Sequence, residues 1–286
     1  MELSLVAIVI LTGLMHATWN AVIKGGPDNW VSAGLVMGTG AVIAIAAVPF
    51  LALPSAAAWP WLVYTGIVHT AYQAVLVYAY RLGDLGRVYP IARGTAPVVI
   101  TLVSVPLLSE GLNVTAYLGI AVIVVGLMSL VLEPARHLDL HRKSLFFALL
   151  TGLSIATYSM IDAVGIRIAI AAGDAPLTYI MWVFIMGSAP FSFYILWARR
   201  RDLGLYRSRH GIISLAAGLI AIAGYSLVLW TYTQGAVAPI AALRESGVIF
   251  AALIGSFLFG EGRWRQRGLA AGLFFIGAVT LQLSSY

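Results

Sequence analysis

The sequence predicts an all-α integral membrane protein of ten transmembrane helices in two inverted five-helix repeats, and three observations lead there. Of its 286 residues, 61% are hydrophobic and 10% charged, whereas a soluble domain has about a quarter of its residues charged. Apolar runs of about the 20 residues that a bilayer crossing needs recur along the whole chain. The two halves also match each other near both ends.

In chain order the first runs are Leu3 to Ile23, Trp30 to Ala52, Trp59 to Leu82, Val88 to Leu108 and Val114 to Leu132, set apart by Pro, Gly or charged residues. The first follows Met1 and Glu2 with no basic segment and no small-residue cleavage site, so it reads as a retained helix rather than a signal peptide. Glu133, Pro134, Ala135 and Arg136 open a polar stretch that runs to Lys143. A second five follow: Leu145 to Ala172, Leu177 to Ala198, Gly211 to Gln234, Val237 to Phe259 and Leu269 to Leu283. All are expected to be helices, because a lipid-facing backbone must satisfy its own hydrogen bonds, and the runs are too long for barrel strands. The expected organisation is a first repeat at 1–133, a polar linker at 134–143 and a second repeat at 144–286.

The repeat is visible in particular residues. LTGLMHATWN at Leu11 to Asn20 matches LTGLSIATYS at Leu150 to Ser159, and SEG at Ser109 to Gly111 matches GEG at Gly260 to Gly262. Arg93 and Arg244 each lie 17 residues before the glutamate of those triplets, and Gly126 and Gly277 each lie 16 after it. Because five is odd, the second copy re-enters the membrane from the opposite face, which favours alternating access over a fixed scaffold. Of the 17 basic residues, 14 fall after odd-numbered runs: Lys24, Arg81, Arg87, Arg136, Arg142, Lys143, Arg199, Arg200, Arg201, Arg207, Arg209, Arg263, Arg265 and Arg267. Only Arg167 falls toward the other side. The positive-inside bias places the odd loops in the cytoplasm and both termini outside. The formal charge of +6 is thus a membrane-orienting feature, and no nucleic-acid partner is expected.

Arg93 and Arg244 lie inside spans four and nine, with Glu245 and Asp162 among the few acids at membrane depth. Charges there face a cavity or a partner, because burying one unpaired costs several kcal/mol. They read either as structural ion pairs or as substrate ligands. Two cations against two anions would suit a zwitterion better than a lone cation or a phosphate dianion. Polar and aromatic residues recur at helical spacing around them: His16, Trp19 and Asn20 in span one, His69, Tyr72 and Gln73 in span three, and Tyr89 in span four. The second half adds Tyr158 beside Asp162, then Trp182, and Tyr225 with Trp230 or Tyr232. Tyr80, Trp30, Trp59 and Trp264 read as bundle filling or interface belts. His16 and His69 are also candidate proton relays. Pro90, Pro97 and Pro106 in span four and Pro239 in span nine permit kinks, either as passive shape or to free carbonyls for a substrate ammonium. The spacings Gly34-xxx-Gly38 and Gly268-xxx-Gly272 predict close helix packing within the bundle.

The chain contains no cysteine, which removes disulfides, thiolate nucleophiles and thiolate metal sites. It has no P-loop, GxSxG elbow, HExxH or calcium-loop pattern, so no catalytic residues, metal ligands or cofactor are expected and ATP-driven pumping by this chain is not. Ten spans, the internal duplication, the Pro-rich fourth span and a glycine-adjacent glutamate in each half resemble the EamA-type members of the drug/metabolite transporter superfamily. His69, Tyr72 and Tyr89 are similar in placement to residues of YddG-like aromatic amino-acid exporters. The resemblance implies a multi-pass exporter of the bacterial inner membrane with a central cavity lined mainly by spans one, three, four, six, eight and nine. The neutral charge balance and the aromatic residues then favour amino acids as cargo, with a multidrug or cationic compound, a nucleoside or a sugar conjugate as alternatives. Arg93 or Arg244 would meet the carboxylate, Asp162 or Glu245 the ammonium, and His69, Trp19, Tyr72 and Tyr89 the side chain. A monomer in the bilayer is expected, with a dimer as the alternative.

Overall fold

The computed structural model describes residues 2–82, 85–130, 142–206, 209–259 and 264–284, including their side chains except at 80–82, 85–89, 209, 255–259 and 264. These residues form α-helices joined by short loops and two 3₁₀ turns, with no strand among them. The helices are α1 (Leu3–Gly25), α2 (Asn29–Ala47), α3 (Trp59–Leu82), α4 (Leu85–Leu108), α5 (Val114–Ser129), α6 (Arg142–Ala171), α7 (Pro176–Ala198), α8 (Arg209–Thr231), α9 (Val237–Arg244), α10 (Ser246–Phe259) and α11 (Trp264–Leu283). Local chemistry sets several starts. The Asp28 carboxylate accepts from the backbone N–H of Trp30 and Val31 to open α2, and Asn113 accepts from Ala116 N–H to open α5. Pro176 begins α7 at a position where its missing N–H costs nothing.

Eight segments among the described residues are long and apolar enough to cross a membrane, with Val237–Ile254 counted as one of them. Helix α5 is apolar but shorter, and α11 carries Arg265 and Arg267 in its first turn. The polar linker lies outside the described residues as far as 141, and its last two residues, Arg142 and Lys143, already belong to α6.

The ninth run departs from the expected continuous helix. It breaks at Glu245, whose backbone N–H reaches back three residues to Ala242 at 3.2 Å, while Val248 N–H does the same to Glu245 at 2.9 Å. Glu245 is followed by Ser246 and the poor helix former Gly247 at the switch from four-residue to three-residue hydrogen bonds. Pro239 causes no break. It is the third residue of α9, within the first turn, where proline is tolerated. Helix α4 likewise continues through Pro90, Pro97 and Pro106.

The chain divides into two compact units, and each draws on both halves of the sequence. Unit one comprises Met1–Ala17, Val75–Met160 and Gln234–Tyr286. In it α5 lies against α11 at backbone distance: a methyl group on Gly119 would stand 3.0 Å from the Gly277 carbonyl oxygen, and one on Gly277 2.7 Å from that of Gly119. Gly152 of α6 meets the Ala92 carbonyl and Thr95 on α4, and Gly13 of α1 meets Ser246 and Gly247 at the start of α10. Glu110, in the loop between α4 and α5, bonds the start of α9, and Asn113 donates to the Ser284 carbonyl at 2.6 Å.

Unit two comprises Thr18–Ala74 and Ile161–Thr233. Here Gly34 and Gly38 of α2 admit Ile195, Leu196 and Ser192 of α7, as their spacing predicts. The second spacing behaves differently, since a methyl group on Gly268 or Gly272 meets nothing within 4 Å among the described residues. At one end of unit two, Tyr206 donates to the Asp28 carbonyl at 2.7 Å and accepts from Asp28 N–H at 3.0 Å. At another, Ser55 donates its N–H and hydroxyl to Asp174 at 3.0 and 2.8 Å. Arg167, the basic residue outside the majority pattern, donates to the Tyr232 carbonyl at the end of α8 at 2.9 Å, a favourable place for a cation.

Candidate functional site

Among the described residues each unit buries one carboxylate inside an apolar bundle, with different partners. In unit one the break between α9 and α10 presents Glu245 to Arg93 of α4, with Nε 2.7 Å from a carboxylate oxygen and both side chains at most 2% exposed. Arg244, the last residue of α9, stands 3.9 Å from the other Glu245 oxygen and donates to the Ser159 hydroxyl of α6 at 3.2 Å. Two guanidinium groups thus converge on one carboxylate. A cation at the last turn of α9 also faces the negative end of that helix. Gly13 and Gly247 are what let α1 approach the break so closely, since a methyl group on Gly13 would stand 2.8 Å from Gly247 N.

In unit two Asp162 of α6 is fully buried, and one of its oxygens gathers two partners. His69 Nε2 of α3 lies 3.0 Å from Oδ2, and Tyr225 of α8 donates its hydroxyl to the same atom in a short hydrogen bond. The Tyr225 hydroxyl and His69 Nε2 are themselves 3.3 Å apart, with the rings edge to face. The other oxygen, Oδ1, is buried and accepts no hydrogen bond among the described residues. Phe184 of α7 meets Tyr225 edge-on, and Gln73 donates to the Gly187 carbonyl at 3.1 Å. Gly187 lets α7 reach α3, because a methyl group there would come within 2.8 Å of His69 Cβ.

The residues selected from sequence sort as follows. Arg93, Arg244 and Glu245 come together in unit one, and His69, Asp162 and Tyr225 in unit two. Gln73 and Tyr72 are buried on α3 near His69 in sequence. His16 lies on α1 in unit one, and Tyr158 is buried on α6 in the same unit. Trp19 and Asn20 are buried on the part of α1 that belongs to unit two. Trp182 meets Trp59 edge-on at 4.8 Å, at the first residue of α3, about 15 Å along that helix from His69. The Tyr89 side chain lies outside the described residues. Asp162 takes a histidine and a tyrosine as partners, while Glu245 is shared by both arginines. Sequence reasoning gave no role to Ser159 or Glu110. Both were marked by the repeat, Ser159 opposite Asn20 and Glu110 within SEG.

No curated protein matches the sequence. A solved structure described as "Crystal structure of protein" aligns over 98% of this chain and 98% of its own, at 18% identity and a TM-score of 0.73, which shows a shared fold. Residues 3–132, a little under half the chain and the whole of its first five apolar runs, match the model of the EamA-like transporter family. Residues 3–132 are thus similar to an EamA-like transporter domain, and the described residues hold eight helices long and apolar enough to cross a membrane.

Proposed function

We propose that this protein is a secondary exporter of amino acids, large neutral and aromatic ones foremost, working by alternating access in a bacterial inner membrane. The observation that carries the reading is the arginine pair converging on Glu245 at a helix break inside an apolar segment. Broken membrane helices supply ion and substrate ligands because their ends expose backbone groups and dipoles that lipid cannot satisfy. Arg93 and Arg244 receive the substrate carboxylate, two fork-shaped donors suited to a planar anion. Glu245 beside them, or Asp162 through its Oδ1, which has no hydrogen-bond partner among the described residues, meets the ammonium. His69, Tyr72, Trp19 and Tyr89 contact the cargo side chain, with His16, Asn20, Gln73, Tyr158, Trp182 and Tyr225 as the remaining lining.

Ten spans in two inverted repeats, 1–133 and 144–286 about the 134–143 linker, are part of the same reading. Reciprocal contacts support it. Gly13 and Gly152, the third residues of the matched LTGL motifs, pack on Ser246 and Thr95, and each of those lies two residues beyond a matched arginine. A monomer suffices for this reading. Reporter fusions after Arg142 and after Tyr286 test the orientation, with a cytoplasmic reporter expected at the first and an external one at the second.

A second reading, export of a cationic compound, is favoured by one feature: no arginine is among the described partners of Asp162. Proteoliposome uptake of labelled amino acids, a nucleoside and a cationic dye, with and without a pH gradient, separates the two. Saturable uptake of phenylalanine or methionine is expected. Uptake of the dye alone would replace the amino-acid reading with the cationic one.

A further inference from the structure

We propose that Glu110 is a positioning residue for the arginine cluster, acting as a latch on the short helix α9. This rests on the binding role given to Arg93, Arg244 and Glu245. Helix α9 begins without a side-chain cap of its own, because its N-cap is Ala236. Its first two backbone donors, Val237 N–H and Ala238 N–H, point instead at the Glu110 carboxylate, at 2.7 and 3.5 Å. The third residue, Pro239, has no N–H to satisfy. One carboxylate from another loop therefore meets both donors of the first three positions and faces the positive end of the helix.

The loop that presents Glu110 is strained. Ser109 has φ 51°, the left-handed region for a residue with a side chain, and Leu112 N–H folds back onto the Glu110 carbonyl at 2.9 Å. Strain of this kind persists where the surrounding structure holds a functional geometry. Helix α4 and the loop that follows it thus grip α9 at both ends: Arg93 at its C-terminal Glu245 and Glu110 at its N-terminus. With 8 residues, α9 is about 12 Å long, too short to bend much, so a shift at Glu110 reaches Arg244 and Glu245. The latch sets where those two side chains stand relative to Arg93.

The test uses full-length protein in proteoliposomes with labelled phenylalanine as probe, together with amide hydrogen exchange over residues 237–244. Glu110→Ala should raise KM about five- to tenfold with the maximal rate unchanged or higher, and should speed exchange in 237–244. Glu110→Gln keeps an acceptor but loses the charge, so a KM rise of about two- to threefold and a smaller gain in exchange are expected. A KM and an exchange pattern like wild type in the folded fraction of Glu110→Ala, with only the yield of folded protein reduced, would overturn the proposal. Should that variant fail to fold, Glu110→Gln decides on the same two readouts. Arg93→Ala in parallel keeps the two claims apart: a wild-type KM there sinks the binding role of the cluster, while exchange in 237–244 still decides the latch.

Discussion

Unit one holds its buried carboxylate with permanent charge, and unit two holds its own with groups that can be neutral. Glu245 faces Arg93 and Arg244, and a guanidinium stays protonated in proteins. Asp162 faces an imidazole and a phenol through a single oxygen. The settings differ as well, since Glu245 sits at a helix break and Asp162 lies inside the 30-residue helix α6. The first arrangement is suited to holding an anion, because it contains more positive than negative charge. The second sets its carboxylate against an imidazole and a phenol, and Oδ1 accepts no hydrogen bond among the described residues. The comparison teaches that two buried acids in one apolar chain can have unlike chemistry, decided by the partners that the fold brings up.

The largest effect should come from Arg93→Ala. Removing one partner of a buried pair costs about 3–5 kcal/mol, so transport should fall by about a hundredfold or more and thermal stability in detergent should drop. Replacing both Arg93 and Glu245 with methionine should restore stability but not transport. Recovered transport in that double variant would make the pair a structural lock and remove the contrast between the units.

Asp162→Asn is next. The amide keeps the shape and still accepts from Tyr225, but it loses the charge offered to an ammonium, so phenylalanine transport should fall about 30-fold. A carboxylate analogue without the ammonium should be transported as before. Equal losses for both compounds would make Asp162 a packing or gating residue. Tyr225→Phe removes a hydroxyl that donates to the same carboxylate and should cost about tenfold, with little change in stability. No change in transport rate for this variant would place the second cluster outside the cycle.

The smallest effect is one of selectivity. Truncating an aromatic contact costs about 1 kcal/mol beyond lost area, so Tyr72→Ala should weaken phenylalanine or methionine transport about fivefold more than alanine or glycine transport. Parallel assays of the four amino acids measure this directly. A common factor for large and small cargo, repeated in Trp19→Ala and His69→Ala, would move the side-chain pocket elsewhere.

Much of the helix pattern was legible in the sequence. The run Trp59 to Leu82 coincides with α3, and Leu177 to Ala198 with α7 to within one residue, because lipid demands long apolar stretches and punctuation is sharp at their ends. The break at Glu245 was not read, although Glu245-Ser246-Gly247 marks it. Proline drew attention instead, and Pro239 falls in a first turn where it does no harm. Of the two glycine spacings, only Gly34 and Gly38 meet a neighbouring helix among the described residues. Periodicity within one helix does not say which face another helix will take.

By itself the sequence determined that the chain lives in a membrane, where its helices run, and which few charged residues lie too deep to be solvated. Those are local properties, set by hydropathy along the chain and by the cost of burying charge. Pairing was left to the tertiary structure. Glu245 could have met either arginine or neither, and Asp162 is 93 residues from His69 and 63 from Tyr225. Which groups meet depends on helix rotation and on close approaches such as Gly13 with Gly247 and Gly187 with His69. Those distances arise only when helices far apart in sequence pack together, and there the charge of each site is decided.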